Sequence, residues 1–187
     1  MQALLVPVKA FRDAKLRLAP VMSPNERYRL ARALAQHVIC SAGGLEVAVV
    51  CDDHEVAAFA ERLGATVLWT PGLGLSGAVQ EGVRRLSEHG IDTVVVAHAD
   101  LPRAAGFDEL ASLADGTTAV LVPDRAHDGT NVIALGSATG FRFSYGRGSF
   151  SRHIAEARFL GLDVVVREDP LLSADVDIPS DLALIAP

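Results

Sequence analysis

The segment Ile91-Asp92-Thr93-Val94-Val95-Val96-Ala97-His98-Ala99-Asp100-Leu101-Pro102 constrains the fold more than any other stretch of the chain. Thr93 to Ala97 is β-branched and almost wholly apolar, with no period-2 alternation, the pattern of a strand buried on both faces of a parallel sheet. Such a strand belongs in the middle of a sheet, and ligands of open α/β sheets bind beyond the carboxyl ends of the strands. Asp100 therefore stands where chemistry is expected. Asp is also a common turn and cap residue, and from this segment alone the two readings are evenly matched.

The rest of the chain supplies the elements that would flank such a strand. Gln2 to Val8, Glu46 to Cys51, Ala65 to Trp69, Thr117 to Pro123, Asn131 to Leu135 and Leu162 to Arg167 read as strands. Helices are expected between Pro24 and the Gly43-Gly44 pair, over Val56 to Leu63, Val79 to His89, around Gly106 to Ala114, and over Phe150 to Leu160. Ser23, Pro24 and Glu26 occupy the N-cap, N1 and N3 positions of a capping box, and Gly64 sits where a helix ends in the left-handed conformation. Phe141 to Tyr145 alternates apolar and polar, which suggests antiparallel or edge strands. Ser149 and Ser180 are candidate N-caps. The alternation predicts an α/β fold of three layers, a mostly parallel mixed sheet with helices on both faces, in one domain spanning residues 1–187.

The 187 residues suffice for one domain that buries roughly 70% of its unfolded surface. A net charge of −6 argues against a nucleic-acid partner, which requires a basic surplus or stripe. No apolar run approaches the roughly 18 residues that span a bilayer and no signal segment opens the chain, so no membrane partner and a soluble, cytoplasmic protein are expected. Cys40 and Cys51 have no CxxC partner and are expected as buried thiols in a reducing compartment.

Within this acidic chain, Lys9, Arg12, Lys15 and Arg17 form a local cationic cluster directly after the first strand. No GxGxxG motif is present, so cationic side chains would do what glycine amides do in other nucleotide folds; a solvated loop is the plain alternative. A second loop, Thr70-Pro71-Gly72-Leu73-Gly74-Leu75-Ser76-Gly77-Ala78, lets backbone approach a ligand at a helix start. Gly146-Arg147-Gly148-Ser149 is a third glycine-rich turn before a helix. Asp175 and Asp177 share one face if their segment is extended.

Carboxylates with a cationic loop suit Mg²⁺ and phosphate, because Mg²⁺ sites use one or two carboxylates and leave the other positions to water and phosphate oxygens. A zinc site is poorly supported, since His37, His54, His89, His98, His127 and His153 lack ligand spacing. There is no GxSxG elbow for acyl transfer. His98 leaves the same strand end as Asp100 and fits either the site or the core.

The sequence resembles the 2-phospho-L-lactate or phosphoenolpyruvate guanylyltransferase family of coenzyme F420 biosynthesis. That family lies within the GT-A-like, nucleotide-diphospho-sugar transferase group of folds. The resemblance is carried by Pro7-Val8-Lys9 with Ala14-Lys15-Leu16-Arg17-Leu18, Glu26-Arg27, His98-Ala99-Asp100-Leu101-Pro102 and Pro123-Asp124 through Gly129-Thr130-Asn131. It continues through Gly146-Arg147-Gly148-Ser149-Phe150 with His153 and Ala157, and Asp175-Val176-Asp177-Ile178-Pro179-Ser180-Asp181-Leu182.

The resemblance implies transfer of GMP from GTP to the phosphate of a small phosphorylated carboxylic acid, with release of pyrophosphate. By similarity, Asp100, Asp177 and Asp175 hold Mg²⁺, and Lys9, Lys15 and Arg17 hold the triphosphate. Pro7, Gly74, Ser76 and His98 join the nucleotide site, and Thr130, Asn131, Gly146, Gly148 and Ser149 the acceptor site. Ser76 departs from the asparagine usual at its position. The Ala- and Arg-rich composition leans toward a high-GC bacterium and hence toward phosphoenolpyruvate as acceptor. A homodimer is left open. The competing readings are a related nucleotidyltransferase acting on a sugar phosphate or molybdopterin, disfavoured by the cationic loop, and a non-catalytic nucleotide-binding protein, disfavoured by the retained carboxylates.

Overall fold

The computed structural model describes residues 1–185. Its centre is a seven-stranded sheet built from β1 (Gln2–Pro7), β2 (Glu46–Cys51), β3 (Thr66–Trp69), β4 (Thr93–Ala97), β5 (Thr118–Pro123), β6 (Thr130–Gly136) and β7 (Asp163–Val166). The strand order is β3-β2-β1-β4-β6-β5-β7. Every pairing is parallel except those of β6, which runs antiparallel to both β4 and β5. The expected three-layer mixed sheet is therefore observed, with β4 buried throughout at its middle.

Successive β4 side chains point to opposite faces, as a strand requires. Val95 and Ala97 join a core beneath α1 (Pro24–Cys40), α2 (His54–Arg62) and α4 (Phe107–Leu113). Val94 and Val96 join another beneath α3 (Gly74–Glu88) and α5 (Ser149–Phe159). Two apolar layers explain why these strands read as continuous hydrophobic runs. Helix α3 comes so close to the sheet that a Cβ on Gly82 would lie 2.7 Å from Val50 Cγ1 and 2.9 Å from Leu5 Cδ2.

Local signals act largely as read. Ser23 and Glu26 form the capping box of α1. Gly64, at φ 81°, ends α2 with paired bonds from Gly64 N–H to the Glu61 carbonyl and from Ala65 N–H to the Ala60 carbonyl, the Schellman arrangement.

Several expectations need correction. Helix α2 starts at His54, because the Asp53 carboxylate accepts the Glu55 and Val56 amides and caps it. Helix α3 starts at Gly74, so half of the glycine-rich stretch is helical. Phe141 to Tyr145 forms no strand. Its backbone is satisfied by side chains instead: the Gln80 amide donates to the Phe141 carbonyl and accepts from Phe143 N–H, a side-chain substitute for a ladder.

Ser149 is the first residue of α5, and Gly148 in the left-handed region is its N-cap. Near the carboxyl terminus, Ser180 does not cap the 3₁₀ turn Pro179–Leu184; the buried Asp181 carboxylate takes the Asp177 and Ile178 amides. Cys51 is buried, and burial pushes its thiol up, but Cys40 is exposed on α1.

Candidate active site

The strand order reverses between β1 and β4: β2 and β3 lie on one side of β1, and the later strands beyond β4. Such a switch point opens a crevice at the carboxyl ends of the two strands, because the connections leave in opposite directions. A cavity of about 520 Å³ lies there, lined by Pro7, Lys9 and Lys15 after β1 and by His98 and Asp100 after β4. Gly74 and Leu75 at the start of α3, and Asp177 near the carboxyl terminus, complete the part of the wall foreseen from sequence. Val50, Cys51, Asp52 and Thr70 at the ends of β2 and β3 also line it. No motif marks Val50, Cys51 or Asp52, so only the topology reveals them, whereas Thr70 opens the glycine-rich loop already singled out.

The cationic loop folds as two short 3₁₀ turns, Phe11–Asp13 and Leu16–Leu18. Between them Lys15 takes φ 56°, a left-handed conformation that costs a non-glycine residue about 1 kcal/mol or more and persists only where the surroundings impose it. This turn drives the side chain inward. Lys15 Nζ lies 2.6 Å from Asp100 Oδ2, with only 8% of the lysine side chain exposed. Burial opposes ionisation of Asp100, but the charges of Lys15 and His98 outweigh it and hold the carboxyl below its usual range.

Arg17 Nη1 makes the corresponding contact with Asp177 Oδ2 at 2.6 Å, at a more exposed position. Lys9 is exposed on the cavity rim, and Arg12 turns away to pair with Asp53.

The backbone explains why distant acidic residues meet. Val176 N–H donates to the Asp100 carbonyl, and the Val176 side chain is buried, so Asp175 and Asp177 project from the other face of their segment. Burial raises the Asp175 carboxyl, and the nearby Asp100 charge raises it further. Asn131 Nδ2 donates to Asp175 at 3.4 Å and to the Leu172 carbonyl at 3.0 Å.

A hard divalent cation fits this arrangement. Asp100 Oδ1 is buried without a hydrogen-bond partner among the described residues, as is His98 Nε2, so a carboxylate oxygen in the cavity wall remains available as a ligand. Among the described residues no three His, Cys, Asp or Glu side chains converge into a closed cage. The donors suit Mg²⁺, which takes one or two carboxylates and fills its remaining positions with water and phosphate oxygens.

The remaining candidates form an adjoining cluster off the cavity wall. Thr130, Asn131 and Ser149 are almost fully buried, beneath the turn formed by Gly146 at φ 108° and Gly148 at φ 70°. Ser149 Oγ accepts the Thr130 N–H at 3.2 Å, joining the start of β6 to the start of α5. Ser76 Oγ accepts the Tyr145 N–H at 2.9 Å, so it anchors the segment before that turn.

Sequence reasoning left Arg27 without a role. It is buried on α1, on the helix face of Ala31 and Ala35 that lines the cavity, and its Nε and Nη1 have no hydrogen-bond partner among the described residues. An apolar-spaced helix position occupied by arginine was the available signal.

Residues 1–186 match the protein family described as guanylyl transferase CofC like. The chain belongs to that family. It is 39% identical over 185 residues to a phosphoenolpyruvate guanylyltransferase of Rubrobacter xylanophilus, covering 96% of this chain and 90% of that one. It is 34% identical over 190 residues to a 2-phospho-L-lactate guanylyltransferase of Methanothermobacter thermautotrophicus, covering 97% and 82%. Among solved structures, a nucleotidyl transferase from Methanothermobacter thermautotrophicus superposes with a TM-score of 0.72 at 19% identity, covering 99% of this chain and 95% of that one. The fold of this guanylyl transferase family member is thus the nucleotidyltransferase fold. No helix among the described residues is long and apolar enough to cross a membrane.

Proposed function

We propose that the protein transfers GMP from GTP to the phosphate of a small phosphorylated carboxylic acid, releasing pyrophosphate. Phosphoenolpyruvate is the favoured acceptor and 2-phospho-L-lactate the second, in the pathway to coenzyme F420. The observation that carries this reading is the opposition of Lys15 and Asp100 across the β1/β4 crevice, with Asp100 Oδ1 left free, in a chain of this family.

The reaction joins two anions. An oxygen of the acceptor phosphate forms a bond to the α-phosphorus of GTP while the bond from that phosphorus to the bridging oxygen of pyrophosphate breaks. Because a phosphate monoester has a second pKa near 6, the attacking oxygen is already ionised at neutral pH and no general base is needed. The chain's task is therefore positioning and charge compensation. Lys9 and Lys15, with Arg17 at the rim, supply positive charge for the triphosphate. The half of the wall contributed by Pro7, Gly74 and Leu75 faces the nucleoside, and the Thr130, Asn131, Gly146, Gly148 and Ser149 cluster receives the acceptor. Asp100 and Asp177 would hold Mg²⁺, with Asp175 behind them as an outer carboxylate, and the ion when bound would offset the repulsion and stabilise the leaving pyrophosphate.

The test is incubation with GTP and Mg²⁺ and, in turn, phosphoenolpyruvate, 2-phospholactate and 3-phosphoglycerate, with product masses measured. A GMP-linked acid and pyrophosphate in equal amounts are expected. No GMP-linked product with any of the three refutes the reading.

A further inference from the structure

Two consecutive residues of α5 reach back to the turn that precedes their own helix. Arg152 donates from Nη1 to the Arg147 carbonyl at 2.6 Å and from Nη2 to the carbonyls of Ser144 at 2.9 Å and Gly146 at 3.5 Å. Its Nε donates to Ser144 Oγ at 3.2 Å. One exposed guanidinium therefore gathers three carbonyls, a task suited to its planar fork of donors. The C=O and N–H of a trans peptide point in opposite directions, so collecting these carbonyls turns the amides of the following residues the other way. The Tyr145 amide is taken up by Ser76 Oγ. The Arg147 and Gly148 amides make no hydrogen bond among the described residues.

His153 fixes the turn from the opposite side. Its Nε2 lies 2.9 Å from Ser144 N and accepts that N–H, so Nε2 carries no proton. The neutral ring then has its proton on Nδ1 and donates it to Thr130 Oγ1 at 3.0 Å. With a lone pair of Thr130 engaged in this way, the threonine's own proton is available as a donor. The ring is fully buried, and burial lowers its pKa to about 4, which keeps it neutral in the role the geometry assigns.

We propose that Arg152 and His153 are positioning residues for the phosphorylated acceptor, holding the Ser144–Gly148 turn so that the Arg147 and Gly148 amides face its anionic groups. The proposal rests on the assignment of Gly146, Gly148 and Ser149 to the acceptor. Arg152 acts through the turn it shapes, because four of its five N–H groups are directed at that turn, three at carbonyls and one at the Ser144 hydroxyl.

The test uses the ¹⁵N-labelled full chain as wild type, Arg152→Met, Arg152→Lys and His153→Asn. Phosphoenolpyruvate and, separately, inorganic phosphate are titrated without GTP while the Arg147 and Gly148 amide shifts are followed. KM is then measured for each substrate. In the wild type these two amides should move saturably with phosphoenolpyruvate. Arg152→Met should lose that response and raise the acceptor KM about tenfold, the equivalent of one good hydrogen bond, with the KM for GTP and the thermal midpoint near wild type. Arg152→Lys should recover only part of the effect, since a point charge cannot span three carbonyls. His153→Asn keeps a donor toward Thr130 but not the acceptor for Ser144, and should give an intermediate acceptor KM.

Amides that stay still in the wild type, or an Arg152→Met variant that changes both KM values alike or neither, would overturn the proposal. A wild type that shows the amide shifts but forms no GMP-linked product would refute the transfer reaction and leave the role of the turn standing.

Discussion

Lys15 Nζ and Asp100 Oδ2 lie 2.6 Å apart although 85 residues separate them in the chain. One follows the first strand and the other follows the central strand, and the adjacency of β1 and β4 brings the two ends together. The pair is only partly shielded, with Asp100 24% exposed, so losing one partner should cost less than the roughly 3–5 kcal/mol of a fully buried pair. Asp100→Asn is expected to lower turnover by about 100- to 1000-fold while the fold survives. Lys15→Met added to it should return part of the lost stability. Initial rates and urea midpoints of the two single variants and the double variant check both statements, and near-native turnover in Asp100→Asn would remove that carboxylate from the metal site.

Metal dependence separates the acidic residues. Chelation of divalent ions should stop GMP transfer, and Mg²⁺ should restore it. In the presence of a non-hydrolysable GTP analogue, Mn²⁺ bound per chain, read by electron paramagnetic resonance, should fall most for Asp100→Asn and Asp177→Asn. Asp175→Asn should weaken it less, because burial and the Asp100 charge already disfavour ionisation there. Equal Mn²⁺ binding in all three variants would contradict the carboxylate assignment.

His153 ties stability to pH. Its folded-state pKa is lowered from 6.5 to about 4 by burial, with the Arg152 charge adding to the effect. As pH falls, the unfolded chain takes up this proton first, so the contribution of His153 is complete above about pH 6.5 and is lost on descent toward pH 4. The loss amounts to roughly 3 kcal/mol. Denaturant midpoints across this range should show the slope in the wild type, and His153→Asn should flatten it. A parallel slope in both proteins would place the titration elsewhere.

Arg27 carries a buried guanidinium with two unpaired nitrogens, and an unsatisfied buried donor costs about 1–3 kcal/mol. Arg27→Met keeps the length and apolar stem of the side chain. It should therefore stabilise the ligand-free protein by an amount in that range, measurable as a raised urea midpoint. A marked loss of stability would mean that the guanidinium has a partner in solution.

The sequence alone carried the elements whose signals are local. The apolar run of β4, the capping box at Ser23 and Glu26, and the terminal Gly64 each depend on neighbours within a few residues, and each formed as read. The order of motifs along the chain also carries its family membership. Tertiary structure decided what depends on partners far along the chain. Phe141 to Tyr145 has the alternation of a strand, but Gln80, Ser76 and His153 take its backbone groups, and no local rule reveals that competition. Likewise, Lys15 and Arg17 were legible as cations, but their pairing with Asp100 and Asp177 is set by the strand order and by the backbone bond from Val176 to Asp100. Sequence supplied the charges; which charges meet, and how deeply they are buried, belongs to the folded chain, because both depend on distances that only the sheet topology fixes.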